Sequence, residues 1–277
     1  MNHEIGFALA GLAGVSLGLM GGGGSLLTVP ILIYGFQVSA ILGTGYSLFI
    51  VGITSLVGAI IAFRKKQVVL STTLLFSIPS FAGLYLSRHF ILHQLPETLM
   101  IGKDRFISRE SLLMGLFGLM MILAAVLTFR NPSAIQGIEN KEEKIKESET
   151  RRERVPLLLA LGFAVGALTG LFGTGGGFLI VPALVVFARL PLDKAIGTSL
   201  AIIAGNAWFG LSNDLGHHEN WDWQFILLFS GFSLAGVLVG QYFSSRIRVS
   251  TLKMVFAYTT SLLGISIFLK EIIKGFL

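Results

Sequence analysis

A chain of 277 residues that is 53% hydrophobic and only 13% charged, with a mean hydropathy of +0.78, is too apolar for an ordinary soluble domain. The absence of cysteine excludes disulfides, thiolate metal sites and cysteine nucleophiles. A net charge of +6 without any soluble basic module points to the basic loops of a polytopic membrane protein and argues against nucleic acid as a partner.

The first residues, Met1-Asn2-His3-Glu4, carry no basic n-region, so the apolar run after them does not read as a cleaved signal peptide. Residues 5–20 are apolar and glycine-spaced. They end at Gly21-Gly22-Gly23-Gly24-Ser25-Leu26-Leu27-Thr28-Val29-Pro30, after which 25–36 are apolar again. As helices these pieces reach about 24 Å and 18 Å, against a hydrocarbon core of roughly 30 Å. Two arrangements compete: a re-entrant V turning at the glycines, or separate spans. Spans follow at 40–63, 68–90 and 110–129. Residues 131–154 are polar and dense in mixed charge, which reads as a solvated linker. A second broken pair covers 155–189, and spans at 195–213, 223–244 and 251–269 follow.

The second broken pair contains Gly173-Thr174-Gly175-Gly176-Gly177-Phe178-Leu179-Ile180-Val181-Pro182, a near copy of the first motif. At an offset of 152, Gly14, Gly18, Gly21, Gly23, Gly24 and Pro30 fall on Gly166, Gly170, Gly173, Gly175, Gly176 and Pro182. At 154, Gly43-Thr44 falls on Gly197-Thr198. Phe76-Ser77, Ser80, Ala82 and Gly83 match Phe229-Ser230, Ser233, Ala235 and Gly236 at 153. Ordered matches of this kind are an internal duplication. The expected architecture is therefore all-α and polytopic, with an N-terminal membrane repeat over 1–130, a charged linker over 131–154 and a C-terminal membrane repeat over 155–277. Re-entrant Vs put most of the 21 basic residues on one side, favouring a cytoplasmic linker, both termini outside and an inverted repeat.

A glycine run inside an apolar segment frees backbone that lipid cannot satisfy, so such backbone is buried in protein or lines a cavity. Paired interruptions in two halves point to the transport site of a repeat-built carrier. The half-helices that start at the motifs offer N–H groups and a positive dipole end to an anion. The residues expected to hold substrate are Gly22, Gly23, Gly24 and Ser25 of the first motif and Thr174, Gly175, Gly176 and Gly177 of the second. Thr44, Ser47, Thr198, Ser199, Asn206 and Trp208 on the following spans join them. The outer glycines, Gly14, Gly18, Gly162, Gly166 and Gly170, read as helix-packing ridges. The glycine runs are not nucleotide loops: neither carries the Lys-Ser/Thr of a P-loop or a βαβ context. Asp214, His217, His218 and Glu219 fall in a predicted outer loop on no defined scaffold, and no metal or cofactor is expected there. The stretches 40–63, 155–188, 195–213 and 223–244 contain no Asp, Glu, His, Lys or Arg, leaving them no carboxylate relay for protons.

The paired glycine motifs followed by Leu-Thr-Val-Pro and Leu-Ile-Val-Pro, the Gly-Thr pair opening the next span and the duplicated small membrane fold resemble the TauE/SafE sulfite exporter family, across essentially the whole chain. The resemblance implies a transporter and not an enzyme. It implies export of small sulfur-containing anions, such as sulfite, sulfoacetate or related organosulfonates, through the cytoplasmic (inner) membrane of a prokaryote. The linker of 131–154 is longer than the join usual in that family. The expected partners are a small anion and the lipid bilayer, with room for a homo-oligomer. The alternatives are a carrier of another small anion, a membrane enzyme or metal protein using Asp214, His217 and His218, and a scaffold whose glycines serve only packing.

Overall fold

The computed structural model describes residues 3–92, 94, 96, 98–100, 106–130, 147–214, 221–244 and 249–276. The described residues are almost entirely helical: α1 (His3–Met20), α2 (Gly23–Pro30), α3 (Ala40–Arg64), α4 (Leu70–Leu86), α5 (Arg109–Arg130), α6 (Glu147–Phe172), α7 (Gly177–Val186), α8 (Leu192–Asp214), α9 (Trp223–Phe243) and α10 (Val249–Phe276). Two π-helical turns, Ile31–Gly35 and Ser87–Leu92, extend α2 and α4. Among the described residues six helices are long and apolar enough to cross a bilayer: Ala40–Arg64, Leu70–Phe90, Arg109–Val126, Val155–Phe172, Leu192–Ser212 and Trp223–Phe243. The protein is a multi-pass membrane protein. Val155–Phe172, expected as the first leg of a broken pair, is one of the six, whereas its counterpart Ile5–Met20 and the segment Gly23–Gly35 are shorter.

Two local features depart from the sequence reading. Between α4 and α5 a short antiparallel hairpin pairs β1 (Thr98–Met100) with β2 (Phe106–Ser108), in a chain expected to be all-α. The last eight residues of the expected linker belong to α6, whose first residue is Glu147; residues 131–146 lie outside the described residues.

The most extensive helix pairings, α1 with α9, α4 with α6, α5 with α10 and α3 with α8, all join the first half of the chain to the second. Glycine makes the closest approaches possible. A Cβ on Gly14 would overlap the Ser233 carbonyl, and one on Gly18 the Val237 carbonyl, so α1 and α9 run parallel with their backbones touching. At equivalent positions, a Cβ on Gly166 would overlap the Ser80 carbonyl and one on Gly170 would meet the Leu84 carbonyl, so α4 and α6 are also parallel. From the other side, Gly236 abuts the Gly11 carbonyl and Gly83 the Phe163 carbonyl. These three contacts of one seam are thus repeated in the other with the halves exchanged. In lipid, where burying apolar surface between helices gains little, this backbone proximity is the source of cohesion.

α3 and α8, equivalent elements of the two halves, run antiparallel: Leu48 meets Gly210, Gly52 meets Ala207 and Gly58 meets Leu200. Around this central pair the buried side chains also come in matched sets. Leu32 and Leu184, at equivalent places in the two half-helix segments, are wholly buried, as are Phe76 of α4 and Phe229 of α9. Gln37 and Arg189, again 152 apart, close the two segments with φ of 58° and 51°, a conformation uncommon outside glycine.

If the seams rest on bare backbone, Gly14→Ala or Gly166→Ala must force two helices apart, at about 1–3 kcal/mol. Gly231, on α9 with open space around it, supplies the control. Thermal unfolding of the purified protein in detergent is expected to fall by several degrees for the first two variants and to stay unchanged for Gly231→Ala. Equal melting temperatures for all three would refute the account of the seams.

Candidate functional site

The two glycine motifs meet. Gly22 is the N-cap of α2, and a Cβ there would overlap the carbonyl group of Gly177, the first residue of α7; a Cβ on Gly177 would lie 2.6 Å from the Gly22 Cα. No side chain lies between these two backbones. The contact sits midway along the central helices, because Gly177 and Gly175 both face Ile203 of α8 and Gly175 also faces Val51 of α3. Neither half-helix has a side-chain cap at its N-terminus.

Each motif folds back on its own first leg and docks on the central helix of the other half. Gly24 packs on Ala13 and Leu17 of α1, and Gly176 on Val165 and Thr169 of α6. Gly21 (φ 68°) rests on Ile196 and Ser199 of α8, while its equivalent Gly173 (φ 66°) rests on Thr44 of α3. A side chain at either place would carry a strained left-handed backbone and strike the opposite helix. Gly175 and Gly176, at φ 69° and 70°, continue the left-handed turn that has no counterpart at Gly23 and Gly24, which are already helical.

The polar residues divide into those with partners and those without. Around the first motif the hydroxyls are engaged: Ser25 Oγ donates to the Gly22 carbonyl at 2.8 Å and Thr28 Oγ1 to that of Gly24 at 3.0 Å. Ser199 Oγ bridges the Gly21 and Ile196 carbonyls at 2.7 and 2.8 Å. Thr44 Oγ1 donates back to Ile41 of its own helix, and Thr198 Oγ1 accepts from the Val69 N–H in the α3–α4 loop, so Thr198 serves that loop and not the motifs. Thr174 is buried within the second motif. Ser47 and Asn206 are wholly buried, yet the Ser47 hydroxyl and both amide atoms of Asn206 have no hydrogen-bond partner. Trp208 was expected deep in the site. It is 40% exposed and stacks edge-on with Phe49, next to Gly52 and away from the glycine contact.

Two charged residues near the ends of helices escaped the sequence reading. Arg88, in the π-turn after α4, is 6% exposed; its Nε donates to the Gly170 carbonyl at 3.1 Å and its Nη1 to that of Gly210 at 3.4 Å. A cation at the last turn of α6 complements the helix dipole. At the repeat-equivalent position stands Gln241, whose Nε2 donates to the Gly58 carbonyl at 2.9 Å, so the same cross-half contact is charged at one end and neutral at the other. Glu271, two residues beyond the expected span of 251–269, is 7% exposed and accepts from the Tyr34 hydroxyl at 2.9 Å, with Lys270 Nζ 4.3 Å from the Tyr34 ring centre. An ionisable pair at the edge of an apolar stretch, Arg88-His89 and Lys270-Glu271, was the available signal for both. Among the described residues no group of three or more His, Asp or Glu could hold a metal ion. His217, His218 and Glu219 lie outside the described residues, and the side chain of Asp214 is not described.

Known proteins agree with this reading at the level of family. A probable membrane transporter protein of Xylella fastidiosa is 29% identical over 243 residues, covering 87% of this chain and 84% of the relative. The probable membrane transporter protein YunE of Bacillus subtilis is 27% identical over 276 residues, covering 95% and 96%. No solved structure matches the chain significantly. The sequence matches the sulfite exporter TauE/SafE family over residues 6–267, and with its duplicated glycine motifs meeting between two central helices the chain belongs to that family of membrane transporters.

Proposed function

We propose that the protein exports small sulfur-containing oxyanions, sulfite or organosulfonates such as sulfoacetate, across the cytoplasmic membrane. The observation that carries this reading is the meeting of two uncapped half-helix N-termini at Gly22 and Gly177, midway along α3 and α8. Two such ends concentrate partial positive charge and backbone donors at one point, without any fixed cation that would hold an anion too tightly to release. In the touching arrangement the anion has no room, so this conformation is a closed one, and transport requires the two tips to part. The halves form an inverted repeat with re-entrant motifs; the antiparallel packing of α3 against α8 supports the inversion.

Orientation follows from charge. The loop after α3 packs on the start of α8, where a Cβ on Gly197 would meet the Gln67 carbonyl at 2.7 Å, and Gln241 near the end of α9 bonds Gly58 near the end of α3. Arg64, Lys65, Lys66, Arg189 and Lys194 therefore gather at one end of the bundle, which the positive-inside rule assigns to the cytoplasm.

In liposomes loaded with labelled sulfite, the wild-type protein is expected to release the anion. Gly22→Val and Gly177→Val should abolish release while the protein stays monodisperse, and absence of release by the wild type would remove the oxyanion reading. For orientation, Asn220→Cys but not Lys65→Cys should react with an impermeant maleimide on whole cells; the reverse pattern would invert the topology. Efflux should also follow the membrane potential, which lowers the free energy of an exiting monoanion by about 2.3 kcal/mol per 100 mV. With a sulfonate that does not titrate, a valinomycin-set potential should change the rate and a pH gradient at zero potential should not. Strict dependence on the pH gradient would sink the uncoupled mechanism.

A further inference from the structure

The halves match closely where they pack and differ at two wholly buried polar residues without partners, Ser47 and Asn206. Ser47 lies one turn from Thr44 and one turn from Val51, the residues of α3 that touch Gly173 and Gly175. Asn206 lies one turn from Ile203, which touches Gly175 and Gly177, and one turn from Gly210, which meets Leu48. Both therefore stand on the helix faces that enclose the second motif, about one and a half turns apart along the antiparallel pair. Their repeat equivalents are Ala201 and Gly52, which have no polar side chain. In the first motif every hydroxyl is engaged, and the position equivalent to Ser25 is Gly177, so the second motif also loses the hydroxyl that closes the first.

A wholly buried amide with nothing bonded to either end is an arrangement that folded proteins avoid. Its Nδ2 offers two donors and its Oδ1 accepts. Because both ends lack partners, exchanging the amide nitrogen and oxygen changes nothing. A bare acceptor anion would satisfy Nδ2 and leave Oδ1 unpaired. An anion that carries its own hydrogen-bond donor satisfies both, while its charge lies against the N-terminus of α7.

We infer that Asn206, Ser47 and the second motif form a subsite selecting oxyanions that carry a donor group, namely hydrogen sulfite or hydroxy- and amino-substituted sulfonates, over plain acceptor anions of the same size. The inference rests on the oxyanion reading above and names the member of that class that the site takes.

The test compares 2-hydroxyethanesulfonate with propane-1-sulfonate, in which a methyl group replaces the hydroxyl, using the purified full chain in liposomes. Wild-type protein is expected to favour the hydroxysulfonate in kcat/KM by about tenfold or more, since sites built to bond a hydroxyl reject analogues that lack it. Asn206→Leu should bring the ratio to within about twofold of one, and Asn206→Gln, which keeps the amide, should retain part of the preference. Ser47→Ala should raise KM for both anions. A wild-type ratio near one, or an unchanged ratio in Asn206→Leu, overturns the subsite while leaving the oxyanion reading intact, and the wild-type ratio remains decisive even where a variant fails to fold. An unchanged ratio with a raised melting temperature in Asn206→Leu would show that the amide holds only water. If neither sulfonate moves and sulfite does not move either, both readings fail together.

Discussion

Everything in this fold depends on letting two helix backbones touch. A bilayer offers little gain for pressing one apolar surface against another, so the seams draw on dispersion and weak polar contacts that fall away steeply with distance. Gly14 against Ser233 and Gly166 against Ser80 bring α1 to α9 and α4 to α6 at that range. The same device, used at Gly22 and Gly177, brings the two motifs together. Packing and the proposed site are thus one construction at different places. The outer glycines make fixed contacts between continuous helices, whereas the central ones join interrupted helices whose ends are held only by short turns.

The duplication is visible in the contacts themselves. Gly24 and Gly176 dock on the leg that precedes them, and Gly21 and Gly173 dock on the central helix of the other half. Such reciprocity makes the places where the halves disagree informative. Arg88 against Gln241 and Asn206 against Gly52 are two such places, each a polar group present in one half and absent or neutral in the other. A carrier with a preferred direction or a preferred ligand must break its internal symmetry somewhere, and these are the positions at which this chain does so.

Much of this is legible in the sequence. The offsets of 152 to 154 located the motifs, the central helices and the packing glycines, because glycine spacing records where a backbone must come close. Less legible was which hydroxyl bonds what. Thr198 resembles Thr44 in sequence, yet it serves the α3–α4 loop, and Trp208 turns to the exposed side of α8; helical phase within a wholly apolar span leaves no amphipathic contrast from which to read either. Arg88 and Glu271 were missed because each stands within a few residues of an expected span end, where a charge is ordinarily assigned to water. The structure buries both against backbone or side-chain partners from other elements. The hairpin of β1 and β2 was missed because three-residue strands give too short a pattern to show alternation.

The exchange of partners between halves carries a consequence in time. Ser233 donates to the Ala10 carbonyl across 223 residues of sequence, and α1 finds no comparable partner before α9 exists. At ordinary rates of synthesis, about 5–20 residues per second, the first helix waits for about 10–45 s. During that interval its glycine face is bare to lipid, and for the first two thirds of it the first motif has no opposing motif to rest against. Assembly is therefore governed by the arrival of the second half, and a chain halted shortly before α9 would be inserted in the membrane yet lack its seam, in a form open to capture by proteases or by other half-made chains.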